Sequence, residues 1–238
     1  MSSPLHLRSL VPEQVRTALE HQPRLIVPVG TCEQHGPHLP LGCDTIIVDR
    51  LADDLSAATG VLRAPTVEYG VNTATRRQFP GNASVRRKTL HRFMNDLLSS
   101  WEKGGVREFV ILTAHGHDPH QEALSTLRTR EAKVFTVDIF ALDFATYLED
   151  PDAPIHGGEL DTSLLLYLAP DLVRMELAQD FALPPKLTSR YQRAAGSLPA
   201  LSPGSLGRPS LASREKGERL YEMIRDRIAT RVLAPVLA

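Results

Sequence analysis

Short apolar runs alternate with segments of helical periodicity along the first part of the chain. Four runs rich in Val, Ile and Leu are typical of buried strands, and they lie at residues 25–29, 61–67, 108–113 and 133–139. Between these runs, apolar residues recur every three or four positions, which predicts helices over 45–58, 90–101 and 120–131. This β-α-β-α-β-α-β order predicts parallel strands that are joined by helical crossovers.

The remaining segments are expected to complete one α/β domain. A polar stretch at 70–84 predicts a loop, and helical spacing predicts further helices over 160–168 and 212–233. The segment 184–209 is rich in Pro, Ser and Gly, and we expect it to be a surface loop. Since no internal repeat or charge block divides the chain, residues 1–238 are predicted to form a single layered domain, with a mostly parallel β-sheet flanked by helices.

Composition and charge exclude several classes of protein. Hydrophobic residues make up 42% and charged residues 23% of the chain, which is typical of a globular protein and not of a disordered one. Lys and Arg number 27 against 28 Asp and Glu, so no basic field would recruit nucleic acid or an acidic membrane. The N-terminus lacks the apolar core of a secretory signal, and we expect a cytoplasmic protein. Cys32 and Cys43 cannot form a disulfide framework and are expected to be small buried residues.

Histidines and carboxylates are concentrated in three segments of the chain. One segment follows the first predicted strand, one follows the third, and one leads into the helix predicted over 160–168. In an open parallel sheet, ligands bind beyond the carboxyl ends of the strands, so these are the segments where chemistry is expected. The residues concerned are Glu33, His35, His38, Asp44, His115, His117, His120, His156, Glu159 and Asp161.

The residue types after the first strand favour a metal site. Glu33 and His35 lie two positions apart, so in an extended segment their side chains share one face. Asp44 returns at the start of the next helix, and His115 would complete the shell from the neighbouring strand end. Nitrogen and oxygen ligands without thiolate suit zinc, manganese or iron. Because Asp44 has two carboxylate oxygens, it could bridge two ions, which predicts a hydrolytic centre with two metals.

The same segments resemble the creatininase (creatinine amidohydrolase) family. The most specific part is Glu-Gln-His-Gly-Pro-His-Leu-Pro-Leu from Glu33, followed by Asp44. The resemblance covers nearly the whole chain, with further matches at 79–81, 114–116, 156–163, 207–209 and 212–217. It implies an α/β enzyme with a binuclear metal site that hydrolyses a linear or cyclic amide C–N bond of a small molecule. It also implies a homo-oligomer, which is a hexamer in many members.

The resemblance implies specific roles for the four central residues. Glu33 and His115 would hold one divalent cation, and His35 would hold the other. Asp44 would bridge the two cations. These assignments agree with the metal site that the residue types alone favour.

Five further residues complete the site that the resemblance implies. His117 or Glu159 would complete the ligands of the second cation, because creatininase has a carboxylate at the position of His117 and many relatives have glycine there. His156 matches a histidine close to the substrate, where it would stabilise the tetrahedral intermediate or protonate the leaving nitrogen. Phe79 would bind the substrate. Arg76 stands in the preceding loop, where many members carry a histidine. It would hold a carboxylate or phosphate of the substrate if this loop faces the metals, and the alternative is that it belongs to a solvated basic surface.

The resemblance leaves the substrate open. Creatininase encloses its small ring with tryptophans, whereas this chain has one tryptophan, Trp101, on a helix predicted to face the core. Other aromatic residues precede His156, namely Phe140, Phe144 and Tyr147, which argues against creatinine itself. A formamidopyrimidine-type deformylase and a peptidase of a cofactor-precursor peptide are alternatives within the family. A non-catalytic metal-binding protein is the alternative outside it, and no nucleotide-binding fingerprint follows the first strand.

Overall fold

Four parallel strands form the centre of the fold. The structure is a computed structural model that describes residues 3–75, 78–153, 155–183 and 198–234. In the order β2-β1-β3-β4, each strand pairs with its neighbour in the parallel direction, which confirms the predicted sheet. The strands are β1 (Arg24–Val29), β2 (Leu62–Arg63), β3 (Glu108–Thr113) and β4 (Lys133–Asp138).

Helices flank this sheet on both faces. The helices of the described residues are α1 (Pro12–His21), α2 (Cys43–Thr59), α3 (Arg87–Lys103), α4 (Asp118–Ser125), α5 (Glu159–Leu168) and α6 (Arg214–Arg231). Helix α1 was not predicted, because its apolar face is short: Leu19 is buried, and only Val15 and Ala18 pack beside it. None of the described helices is long and apolar enough to cross a membrane.

Alternating residues of the strands point into two separate cores. On β1, Ile26 packs into the core that α2, α5 and α6 cover. Its neighbours Leu25 and Val27 pack into the core that α1, α3 and α4 cover. Both faces of β1 are therefore buried, which explains why this strand reads as a continuous apolar run in the sequence.

The strand order creates one switch point in the sheet. From β1 the chain passes through α2 to β2 on one side, and it then returns through α3 to β3 on the other side. The connections leaving β1 and β3 therefore diverge, and a crevice opens at the carboxyl ends of these two strands. Loops that follow β1 and β3 are positioned to line this crevice.

Two elements are shorter than predicted, each for a local reason. Strand β2 ends at Arg63, because Pro65 lacks an N–H for the ladder, and Val67 makes only an isolated bridge to β1. Helix α4 ends at Ser125, whereas the prediction extended it to 131. The Glu102 carboxylate accepts hydrogen bonds of 2.7–3.0 Å from the backbone N–H groups of 130–132, so this segment folds as a loop.

The C-terminal helix agrees with its prediction to within two residues at each end. Helix α6 begins after Ser213, whose hydroxyl accepts a hydrogen bond of 3.2 Å from Lys216 N. The predicted loop over 70–84 is confirmed in its described part. Of the loop predicted over 184–209, residues 184–197 lie outside the described residues.

The contact between α5 and α6 gives a stability prediction. A Cβ added at Gly217 would lie 1.8 Å from Ser163 O on α5. We expect Gly217→Ala to lower the free energy of unfolding by about 1–3 kcal/mol, because the overpacked helices must separate. Denaturant unfolding measures this loss. Gly116→Ala is the control, since its added Cβ meets nothing within 4 Å, and an equal loss in both variants would contradict the packing argument.

Candidate metal centre

The four side chains predicted to hold cations meet at the carboxyl ends of β1 and β3. They are Glu33, His35, Asp44 and His115, and each is at most 4% exposed. Asp44 Oδ1 lies 3.1 Å from His35 Nε2, and Asp44 Oδ2 lies 3.1 Å from His115 Nδ1. Glu33 Oε2 lies 3.3 Å from His115 Nε2. The Asp44 carboxylate is therefore placed between the two imidazoles, as a bridging ligand requires.

Close packing between β1 and α2 holds Asp44 in this position. A Cβ at Gly30 would lie 2.3 Å from Thr45 Oγ1, so only glycine allows α2 to begin this close to the strand end. Thr45 Oγ1 donates a hydrogen bond of 2.9 Å to Thr31 O, and Thr31 Oγ1 donates one of 2.7 Å to Asp44 Oδ2. This role of Thr31 could not be predicted from the sequence, because it depends on the packing of α2.

Backbone carbonyl groups orient both imidazoles. His35 Nδ1 lies 3.1 Å from Glu33 O, which leaves Nε2 facing Asp44. His115 Nε2 lies 3.0 Å from Val71 O, which leaves Nδ1 facing Asp44. A metal-binding histidine commonly donates its other N–H to such a carbonyl, so this arrangement fits two imidazole ligands.

The charges of the cluster are strongly coupled. Burial alone would lower the pKa of His35 and His115, but the carboxylates of Asp44 and Glu33 raise these pKa values to about 10 and about 9. Burial would raise the pKa of Asp44, but the two imidazoles hold it well below its usual range. Burial raises the pKa of Glu33, and the imidazoles offset only part of this change. The carboxylates are thus stable in the core only beside positive charge.

The donor atoms form two groups that share Asp44. Among the described residues, ligand atoms of Glu33, Asp44 and His115 all lie within 4.8 Å of one another, and so do those of His35, Cys43 and Asp44. Glu33 Oε2 is buried without a hydrogen-bond partner, although one lone pair faces His115. An unpartnered buried carboxylate oxygen within an imidazole and carboxylate set fits a divalent cation.

Cys43 is buried as predicted, but it also lies close to the cluster. Its side chain is fully buried in the core beside α2. Burial and the negative charges of Asp161 and Asp44 raise the pKa of its thiol well above the usual value. The thiol is therefore neutral in the absence of a cation. The sequence did not predict this proximity, because adjacent residues of an extended segment point to opposite faces, whereas Cys43 lies in the first turn of α2.

The two candidates for the second cation lie in different surroundings. His117 lines the cavity beside the cluster, with its ring centroid 5.9 Å from that of His115 and its Nδ1 buried without a partner. Burial and the charge of His115 lower the pKa of His117 to about 4. The structure does not bring Glu159 to the cluster. Its carboxylate forms an ion pair with Lys216 and accepts hydrogen bonds of 2.9–3.1 Å from the N–H groups of 149–150.

The residues predicted to act on the substrate are also placed differently. His156 is buried, with its ring centroid 4.5 Å from that of His35 and its Nε2 3.0 Å from Gln34 Nε2. Burial and the charge of His35 hold the pKa of His156 well below its usual value, so its imidazole is neutral. Phe79 lines a separate small pocket of about 90 Å³. Arg76 lies outside the described residues.

A cavity of about 570 Å³ opens onto the cluster. This volume is typical of a site for a small ligand. Phe140 and Phe144, two of the predicted aromatic residues, line its wall, whereas Tyr147 does not. Acidic residues also line the wall, which the sequence analysis did not anticipate. They are Asp138, Asp143, Asp152 and Asp161.

Comparisons with known proteins show the family and the fold of this chain. The sequence profile of the creatininase family, described as creatinine amidohydrolase, matches residues 9–232. Mycofactocin precursor peptide peptidase from Mycolicibacterium smegmatis is 30% identical over 98% of this chain and 95% of its own. Creatinine amidohydrolase from Pseudomonas putida is 28% identical over 86% of each chain. A solved structure of a substituted creatininase, Zn–Zn type, is 24% identical, with a TM-score of 0.75 over 96% of this chain and 98% of that chain.

The pKa values of the imidazoles predict how cation binding depends on pH. With pKa values of about 10 and about 9, His35 and His115 are protonated at neutral pH in the metal-free protein. A cation binds to these nitrogens only after the protons leave. We therefore expect the affinity for Zn²⁺ or Mn²⁺ to rise with pH up to about pH 10, most steeply below about pH 9, and binding at neutral pH to release about two protons.

Isothermal titration calorimetry in buffers of different ionisation enthalpy counts these protons. His91→Ala on α3 is the control, because His91 does not line the cavity and should leave the count unchanged. A pH-independent affinity without proton release would contradict the assigned roles of His35 and His115.

Proposed function

Since this chain belongs to the creatininase family, we propose that it is a metal-dependent hydrolase of a linear or cyclic amide C–N bond. The observation that carries this proposal is the pair of donor groups that share Asp44 at the base of the cavity. The names of its relatives, an amidohydrolase and a peptidase, support the same type of reaction. A non-catalytic metal-binding protein would not need the substrate-sized cavity beside the donors.

The proposed cofactor is a pair of divalent cations, either zinc, manganese or iron. Glu33 and His115 would hold one cation, His35 would hold the other, and Asp44 would bridge them. Such cations supply an acidified water as nucleophile and polarise the amide carbonyl. The Zn–Zn type of the related creatininase structure supports a binuclear site.

His156 is the proposed catalytic group of the protein itself. Hydrolysis adds a hydroxyl to the carbonyl carbon, breaks the C–N bond and places a proton on the departing nitrogen. The neutral imidazole of His156 can donate a hydrogen bond to the tetrahedral intermediate, or it can take a proton from the attacking water and pass it to the nitrogen. Its position against His35, in the cavity wall, supports both steps.

The cavity wall favours a neutral or cationic substrate with an apolar part. Asp138, Asp143 and Asp152 line the wall, and no lysine or arginine lines its described part. Phe140 and Phe144 lie with ring centroids 6.5 Å apart and would pack against the apolar part. The proposed substrate is a small amide that is neutral or cationic and carries an apolar part. Creatinine itself is not favoured, because no tryptophan lines this wall.

Two other substrate classes within the family are further candidates. Hydrolysis of a peptide is the second candidate, because the peptidase relative is 30% identical over nearly the whole chain. A formamidopyrimidine is a further candidate, since the same donor set would hydrolyse its formamide. Arg76 is the residue proposed to hold a phosphate of such a substrate.

A turnover screen with metal removal tests the proposed function. Creatinine, a formamidopyrimidine and short peptides are offered to the chelator-treated protein before and after addition of zinc, manganese or iron. We expect hydrolysis of one substrate class that is lost on chelation and restored by metal. Because His115 would bind one cation, His115→Ala should lose this activity, whereas His91→Ala should retain it. Full activity of the metal-free protein would contradict the proposal.

Assembly of several copies of the chain through the surface of α3 is also proposed. Phe93 on α3 is 48% exposed, and the neighbouring Tyr69 is 52% exposed. Both side chains line one largely apolar groove, which also includes Trp101. Apolar grooves of this kind commonly bind another protein surface, and a second copy of the chain is the occupant proposed here.

A cytoplasmic location is proposed as well, because the free thiols of Cys32 and Cys43 suit a reducing compartment.

Light scattering after size exclusion tests the assembly. Because a charge in the groove would oppose its burial, Phe93→Glu should convert the homo-oligomer, for which a hexamer is the leading candidate, to smaller species. Val11→Glu is the control, since Val11 is even more exposed than Phe93, at 59%, but lies at the start of α1. A monomeric native protein, or an unchanged mass of the Phe93→Glu variant, would contradict this proposal.

A further inference from the structure

Asp161 is a buried carboxylate in the cavity to which no role has been assigned. It is the third residue of α5 and is 1% exposed. Its Oδ2 accepts a hydrogen bond of 2.6 Å from Gly157 N. Its Oδ1 is buried without a hydrogen-bond partner, although the side chain lines the cavity. One oxygen therefore fixes the backbone, and the other is left free for a ligand.

The hydrogen bond to Gly157 places Asp161 on the His35 side of the cluster. Gly157 has a φ of +66°, and a Cβ added there would lie 2.3 Å from His35 O. The loop that Asp161 fixes is therefore packed directly against the backbone of His35. The ring of His156, which precedes Gly157, packs against the ring of His35 on the same side.

The charge of a binuclear site also calls for a further carboxylate. Two divalent cations bring four positive charges, whereas Glu33 and Asp44 supply two negative charges. Buried charges must be balanced by groups that are themselves buried, because water does not screen them. Of the described carboxylates that line the cavity, only Asp44 and Asp161 are more than nine-tenths buried.

The other candidates for this position fit less well. The carboxylate of Glu159 is already bound by Lys216 and by backbone N–H groups. His117 carries no negative charge, and its ring lies beside His115 on the other half of the cluster. The thiol of Cys43 lies within 4.8 Å of the ligand atoms of His35 and Asp44, but its side chain packs in the apolar core and does not line the cavity. Asp161 alone of these four is a carboxylate with a free oxygen.

We propose that Asp161, through its free Oδ1, is a ligand of the cation that His35 and Asp44 hold. This inference rests on the proposed function, because it presumes that two cations bind. Asp161 would thereby link the loop that carries His156 to the second cation, because its Oδ2 accepts the hydrogen bond from Gly157 N and its Oδ1 would bind the cation.

The test is metal binding by Asp161→Asn. Asparagine keeps an oxygen that accepts the hydrogen bond from Gly157 N, but it removes the charge and the free carboxylate oxygen. Asp138→Asn is the matched control, because Asp138 lines the same cavity and accepts a hydrogen bond of 2.9 Å from Phe140 N. Elemental analysis after dialysis against Mn²⁺ gives the stoichiometry, and competition with a chelator gives the affinity of each ion.

We expect the native protein and Asp138→Asn to bind two ions with the same affinities. Asp161→Asn should bind the first ion normally and the second more weakly by at least the roughly 10–100-fold that the loss of an outer-shell partner costs. Two ions bound by Asp161→Asn with native affinities would overturn the inference and leave the proposed function intact. No bound ion in the native protein would overturn both. If circular dichroism shows that the asparagine variant is unfolded, Asp161→Ser, which also offers an acceptor to Gly157, is measured with the same criteria.

Discussion

The burial of two carboxylates and two imidazoles in one small volume is the constraint on which the rest of the structure depends. Glu33 and Asp44 are removed from water, and no Lys or Arg of the described residues pairs with them. Without a cation, protons on His35 and His115 must supply the positive charge, which is why the pKa values of these imidazoles are raised. A divalent cation would replace these protons with a stronger charge, so the site is arranged for metal.

The fold supplies this arrangement through the switch point between β1 and β3. Residues after β1 and residues after β3 belong to connections that diverge, so their side chains can converge on one crevice. The first turn of α2 brings Asp44 to this crevice, and the loop before α5 brings His156. The two apolar cores hold these elements rigidly, and a site of this kind needs that rigidity because ligand atoms must stay within a few tenths of an ångström.

Strands β1 and β3 and the meeting of Glu33, His35, Asp44 and His115 could be predicted from the sequence, because apolar runs and the polar residues that follow them are local signals. The role of Glu159 could not be predicted in this way. Its ion pair with Lys216 joins residues that lie far apart in the sequence, and only tertiary packing reveals it. Asp161 lies two positions from Glu159 on the same helix, so the two side chains point in nearly opposite directions. Only the rotation of α5 against the sheet shows which of them faces the cavity.

A crystal structure of the protein soaked with Mn²⁺, with an anomalous difference map calculated at the manganese edge, tests the central claim most directly. The account predicts two peaks on either side of Asp44, one within bonding distance of Glu33 and His115 and the other within bonding distance of His35. A map in which the four side chains keep their mutual hydrogen bonds, with no anomalous peak between them at saturating metal, would contradict it.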